Sequence, residues 1–123
     1  MNIAAIKKFC HSLPQAKNEI KWEADHVYTI GAKMFAVAML NRNAKPVVSF
    51  KVDDDLFLQM SDRPGFIPAP YLARAKWVQV IDLSRVSDAE LKALIRRSYD
   101  LITAKLTRKL RAELGLTEFA KRV

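Results

Sequence analysis

"HVYTIGAKMFAVAMLNRNAKPVVSFKV", residues 26–52, is the stretch whose reading decides the fold. Residues 26–30 and 33–40 are rich in β-branched and aromatic side chains, and they meet at Gly31, a residue suited to a tight hairpin turn. The polar run NRNAK, residues 41–45, marks a second turn, and PVVSFKV, residues 46–52, a third strand. Pro46 is tolerated there because a first strand residue need not donate to the ladder. Links this short join antiparallel neighbours, so the centre of the chain predicts a three-stranded meander.

Helices flank the meander. Over residues 3–12, Ile3, Ile6, Phe9 and Cys10 share one face, Asn2 stands as N-cap and Pro14 as stop. DDDLFLQM, residues 53–60, predicts a short helix capped by Asp53, with Asp54 and Asp55 at its positive end. The three aspartates make a poorer metal site, because no glycine turn or terminal glutamate completes a calcium loop. SDAE, residues 87–90, has the form of a capping box, and the helix it opens runs to about Leu106. Leu91, Leu94, Ile95, Ser98, Ile102 and Leu106 share its core face, with Lys92, Arg96 and Arg97 turned away. Lys105 falls on the core-facing side, where a lysine either carries its ammonium to an edge or serves a function. Thr107 restarts a last helix, RKLRAEL, which Gly115 ends, and KWVQVIDL, residues 76–83, adds a strand. The order defines an α+β fold, a single domain over residues 1–123 with an antiparallel sheet and helices packed on one face.

A chain of 123 residues, half of them hydrophobic, suits one core. Its longest apolar run, residues 34–40, is strand-length and far from the roughly 20 residues of a membrane helix. The first ten residues place lysines after the apolar positions, the reverse of a signal peptide. A single cysteine, Cys10, excludes an intrachain disulfide and a cysteine metal cluster, and reads as a buried, inert thiol. His11 and His26 have no partners at ligand spacing, so no metal and no cofactor are expected. Nucleophile-elbow, phosphate-loop and dinucleotide fingerprints are missing, and ordinary enzyme chemistry is not expected. The expectation is a cytoplasmic monomer with no membrane contact. The net charge of +8 favours polyanions. From Lys92 onward nine basic residues stand against three acidic ones, which concentrates the charge as a surface patch or a solvated helix face.

RPGFIPAPYLARAKWVQV, residues 63–80, holds three prolines and a glycine in its first eight positions. In one reading Pro64, Phe66, Ile67 and Pro68 fold as a stiff lid over a sheet edge, Trp77 anchors the core and Tyr71 is half-buried. In the other, Arg63, Arg74 and Lys76 line up beside Tyr71 and Trp77 to contact phosphates and stack a base.

GAKMFAVAML, PVVSFKVDDDL, RPGFIPAPYLARAKWVQV and RRSYDLITAKL occur in an order and spacing that resemble the MmcQ/YjbR family, from about Phe9 to Leu110. The most specific signature is the segment ending in Trp77, followed by Ser98-Tyr99 and Lys105-Leu106. The resemblance implies a fold similar to frataxin (CyaY-like) and a non-enzymatic DNA-binding role in which hairpins act as paired wings. Carried onto this chain, Lys33, Arg42 and Lys45 at the hairpin tips would hold phosphates, with Asn43 able to reach a base edge. Arg63, Arg74 and Lys76 would extend that surface. Many relatives carry His-Leu-Asn-Lys-x-His-Trp where this chain reads Tyr71-Leu72-Ala73-Arg74-Ala75-Lys76-Trp77, so any role of those histidines does not transfer. A frataxin-type iron role calls for an acidic ridge, and this chain is basic. The alternative is a small-ligand or protein-binding module, with Tyr71, Trp77, Tyr99 and Lys105 lining a cleft beneath the 63–77 loop.

Overall fold

The central meander forms as its alternation requires, and its two-residue turn shows why Gly31 is there. Gly31 and Ala32 both take positive φ, 57° and 67°, the pairing whose twist matches the flanking strands. The structure, a computed structural model, describes residues 1–21 and 25–116. Six strands make one antiparallel sheet: β1 (Lys17–Lys21), β2 (Asp25–Ile30), β3 (Lys33–Leu40), β4 (Pro46–Lys51), β5 (Phe66–Pro68) and β6 (Trp77–Val80). Their order across the sheet is β1-β2-β3-β4-β6-β5. The helices are α1 (Ile3–Ser12), α2 (Phe57–Ser61), α3 (Asp88–Ala104) and α4 (Arg108–Glu113).

Alternate residues of the strands, among them Tyr28, Ile30, Ala38, Val48, Phe50 and Val80, meet Ile6 and Cys10 of α1 and Leu91, Ile95 and Ile102 of α3 in one core. The caps follow the local chemistry. Asn2, Ser87 and Thr107 accept from the amides of Ala5, Glu90 and Leu110, and Gly115 turns left-handed after α4.

Three consecutive residues of α3 tie the layers together. Tyr28 pairs with Ala36 but Thr29 pairs with Met34, a bulge that leaves Phe35 without a place in the β2 ladder. On the other side Ala36 pairs with Phe50, so the next pair in that register would be Phe35 with Lys51. The fully buried Ser98 hydroxyl stands between them. It accepts from the Lys51 amide at 2.9 Å and donates to the Phe35 carbonyl at 2.7 Å. Arg97 donates to both oxygens of Asp53, at 3.1 and 2.7 Å. The Tyr99 hydroxyl donates to the Pro14 carbonyl just beyond α1, and its ring meets Phe35 edge-on at 5.3 Å.

Several local expectations give way to longer-range contacts. β1 and β5 are additional strands, and the last strand is shorter than residues 76–83: Lys76 turns left-handed before it, φ 65°, and a 3-10 turn begins at Leu83 after it. Residues 66–68 do not lie over the sheet edge but extend it, as β5 paired to β6. Asp53 makes no side-chain cap; the segment begins as a 3-10 turn over Asp54–Leu56, and the Asp53 carboxylate is taken by Arg97. Glu90 does not reach back to its own cap, because Arg63 holds it. Lys105 follows the last turn of α3 and is exposed rather than core-facing. Of the basic C-terminal run, Lys121 and Arg122, with Glu118, lie outside the described residues.

Replacing Ser98 by alanine strands a buried amide and a buried carbonyl, each costing about 1–3 kcal/mol when left unpaired. Urea unfolding of Ser98→Ala is expected to show a loss of about 2 kcal/mol, read as a lower midpoint at unchanged slope. A loss within error of zero would mean that the β3–β4 ladder closes without the hydroxyl.

Candidate functional site

The proline-rich segment runs from β5 across the face of the sheet that the helices leave open. Tyr71 and Lys76 both adopt positive φ, 65°, on either side of a 3-10 turn over Ala73–Ala75. The Ala69 amide bonds the Trp77 carbonyl, and the Val52 amide bonds the Lys76 carbonyl. Beneath this cover Trp77, 4 % exposed, packs with Val27, Val37 and Ala69, and with half-buried Met34 and Leu72, in a second cluster. Trp77 is therefore a core residue, on the face opposite the helices. Tyr71, expected to be half-buried, is fully exposed.

The same cover buries a lysine. Lys51 faces Trp77 across the β4–β6 pairing, and its side chain is only 7 % exposed. Its ammonium donates to the Ala75 carbonyl at 2.6 Å and lies 3.6 Å from Asp54. Burial lowers its pKa and the nearby charge of Lys105 lowers it further, with Asp54 opposing. The alternation of β4 sends Val47, Ser49 and Lys51 to the outer face, but only the distant 69–76 segment makes that position an interior one.

Beside Lys51 the chain leaving β4 and the end of α3 enclose a cleft of about 400 Å³, lined by Lys51, Val52, Asp53, Asp54, Asp55, Leu101 and Lys105. A compartment of about 90 Å³ adjoins it, sharing Lys51, Val52 and Asp53 and adding Leu56, Met60, Leu94 and Arg97. Of the four residues expected around a cleft, Lys105 borders this one. Tyr99 is buried on the helix side of the sheet, Trp77 is buried on the other, and Tyr71 points to solvent, so the four do not converge. The Asp53 carboxyl is held below the usual carboxylate range, chiefly by its bonds to Arg97.

The expected phosphate-binding residues divide between two ends of the molecule. Consecutive hairpins of a meander point in opposite directions, and the eight residues of β3 separate the tips by roughly 25 Å. Arg42, Asn43 and Lys45 are exposed at one end, on a turn held by the Asn41 side chain, which accepts from the amides of Asn43 and Lys45. Asp82 belongs to that end; its carboxyl is held down first by Ser84 and also by the charges of Arg85 and Lys45. Lys33 is exposed at the other end. A Cβ on Gly31 would lie 2.8 Å from the Leu106 methyls and 3.2 Å from Leu110, so this turn packs directly on the α3–α4 junction. Lys33, two residues beyond Gly31, is at the same end of the molecule as the α3–α4 junction, whose Lys105, Arg108 and Lys109 are also exposed. Arg63 is engaged with Glu90 and lies over the Phe66 ring, Lys76 lies over Phe57, and Arg74 is exposed. Arg108 and Lys109 were legible only as part of a charge run; the glycine contact is what places them beside a hairpin tip.

Burial pushes the Cys10 thiol up to about 12. Among the described residues no cluster of three or more histidine, cysteine or carboxylate side chains is placed to hold a metal ion, and no helix is long and apolar enough to cross a membrane.

The Trp77→Ala substitution is expected to cost about 3–5 kcal/mol in denaturant unfolding. Tyr71→Ser should stay within about 0.5 kcal/mol of the parent. Comparable losses for both would show that the tyrosine is packed. The Asp53–Arg97 pair sets an acid limb. Because the folded pKa of Asp53 lies below its unfolded value of about 3.9, its contribution is fully present above that pH and is lost as pH falls through the folded value. Asp53→Asn should flatten the stability profile below about pH 4, and a double-mutant cycle with Arg97→Met should return a coupling of about 1 kcal/mol at neutral pH. An unchanged acid limb would contradict the pairing.

Solved structures share this architecture. The crystal structure of the Deinococcus radiodurans protein DR2400 matches with a TM-score of 0.82 and 26% identity, over 95% of this chain and 90% of that one. A crystal structure of a protein from Pseudomonas syringae matches with a TM-score of 0.69 over 82% of this chain and 98% of that one; at 22% identity it speaks for the fold alone. No curated protein matches the sequence. The profile of the YjbR family matches residues 11–101, which include the meander, the buried lysine, the covering segment and the Arg97-Ser98-Tyr99 anchor. The chain belongs to the YjbR family.

Proposed function

We propose that this domain is a non-enzymatic nucleic-acid-binding protein that grips DNA phosphates through one basic end, formed by Lys33, Lys105, Arg108 and Lys109. The packing of the Gly31 turn on Leu106 and Leu110 carries the reading, because it gathers cations from a hairpin tip and from α4 on one surface. None of the four forms an ion pair with a described residue. Cations spaced over a few turns suit a phosphate backbone, and such contacts hold and orient without reading sequence. Lys105 alone has a local cause, since positive charge is favoured at the C-terminal end of α3, whereas Arg108 and Lys109 open α4, an end that does not favour them. The other hairpin tip, with Arg42, Asn43 and Lys45, points away from this surface and does not form a pair of wings with it. The Cys10 thiol, buried and held protonated at neutral pH, offers no nucleophile.

Binding of a labelled duplex, titrated across salt, tests the assignment. For Lys33→Ala/Lys109→Ala the slope of log K against log salt should flatten by about 0.9 for each phosphate no longer neutralised. Arg42→Ala/Lys45→Ala should leave it unchanged. If only the second variant flattens the slope, the contact surface is the opposite end. If the parent protein binds no duplex at physiological salt, the reading fails.

A further inference from the structure

The cleft beside β4 carries both signs of charge. Lys51 and Lys105 line it, close enough to repel, together with Asp55 and with Asp54, which lies 3.6 Å from the Lys51 ammonium. The remaining charges are paired with each other, since Asp53 is held by both Arg97 contacts. Lys51 is more than nine-tenths buried and is fixed by the Ala75 carbonyl, so its ammonium is a rigid donor at the base of the cleft. A carboxylate placed between the two lysines would relieve their repulsion. A plain anion there would face Asp54 and Asp55, and a plain cation would face Lys105. A molecule carrying both signs can answer both kinds of charge. The adjoining compartment supplies a third point of contact, because Val52, Leu56, Met60 and Leu94 line it and reward burial of a short hydrocarbon.

We propose that this cleft binds a free α-amino acid with a short apolar side chain. Its carboxylate sits between Lys51 and Lys105, its ammonium faces Asp54 and Asp55, and its side chain enters the compartment lined by Leu56, Met60 and Leu94. The cleft volume of about 400 Å³ is within the range of small-ligand sites. Three unlike points of attachment also select one stereoisomer.

The test is a titration of the ¹⁵N-labelled full chain followed by amide chemical shifts, using L-leucine, L-methionine, glycine, leucinamide and 4-methylpentanoate. L-leucine and L-methionine should give saturable shifts at residues 51–55 and 101–105. Leucinamide lacks the carboxylate, 4-methylpentanoate lacks the ammonium and glycine lacks the side chain, and each should bind at least about tenfold more weakly. Lys105 is exposed beyond the last helical turn, so Lys105→Gln should fold normally. That variant should weaken L-leucine and leave leucinamide unaffected, whereas Asp54→Asn should weaken L-leucine and spare 4-methylpentanoate. The proposal is overturned if L-leucine at tens of millimolar gives no saturable shift, or shifts only residues away from the cleft. Equal affinity for 4-methylpentanoate would reduce the site to a simple anion site and equally overturn it, and equal affinity for glycine would overturn it as well, because the side chain would then take no part in binding.

Discussion

The Ser98 hydroxyl is the contact on which the rest of the arrangement depends. One oxygen satisfies a strand amide and a strand carbonyl at the point where the β2–β3 bulge has pulled Phe35 out of register. A buried backbone pair left open there would be costly, and an apolar residue on α3 could not close it. The bond also fixes the height and rotation of α3 on the sheet. With Ser98 in place, Arg97 is aimed at Asp53 and Tyr99 at the end of α1, so three successive side chains dock the helix against the sheet, the chain leaving β4 and α1. The position of the cleft follows, because its walls are the two segments that Arg97 and Asp53 clamp together.

The protein's charges divide by chemistry. Its guanidinium groups are largely turned to internal tasks: Arg63 to Glu90, Arg85 to Asp82, Arg96 to Asp100, Arg97 to Asp53, and Arg111 to the carbonyls of Ala104 and Leu106. A planar fork with several donors suits carboxylates and helix-end carbonyls, whereas an ammonium on a flexible stem is better left in water. The lysines accordingly dominate the unengaged positive surface. A net charge of +8 therefore overstates how many cations are free to meet a partner and says little about where they are. The Gly31 contact with Leu106 and Leu110 says more, because it sets a hairpin tip beside α4.

The meander, α1, the Ser87 cap and the core face of α3 were legible because each rests on contacts within a few residues or on simple periodicity. β1 was not, because KNEIK is a polar edge strand with a single apolar residue and no alternation to follow. β5 was hidden by prolines, which an edge strand tolerates on its unpaired side. Asp53 satisfied every local rule for an N-cap and lost to Arg97, 44 positions away. The site was less legible for the same reason. Lys105 stood out as a charge on an apolar stripe and does border the cleft. Lys51 gave no such sign, since in a half-open sheet its outward position would be solvent. Trp77 was legible as core but without a face, because parity along a strand does not say which side carries the helices.

The second layer over the sheet explains why this fold holds a buried lysine. A strand face without helices ordinarily exposes polar alternates, and a lysine there costs nothing. Drawing residues 69–76 across that face buries Trp77 and closes the sheet, but it also takes the Lys51 ammonium out of water. Two contacts compensate: the Ala75 carbonyl, itself part of the covering segment, and the more distant Asp54. A hydrocarbon side chain would fill the same space without the desolvation cost, so packing alone does not account for an ammonium at this position. What distinguishes it from a hydrocarbon is the cleft, where it sets a fixed positive charge next to Asp54. The covering segment thus does two jobs, completing a core on one side of Lys51 and holding its charge at the base of a cleft on the other.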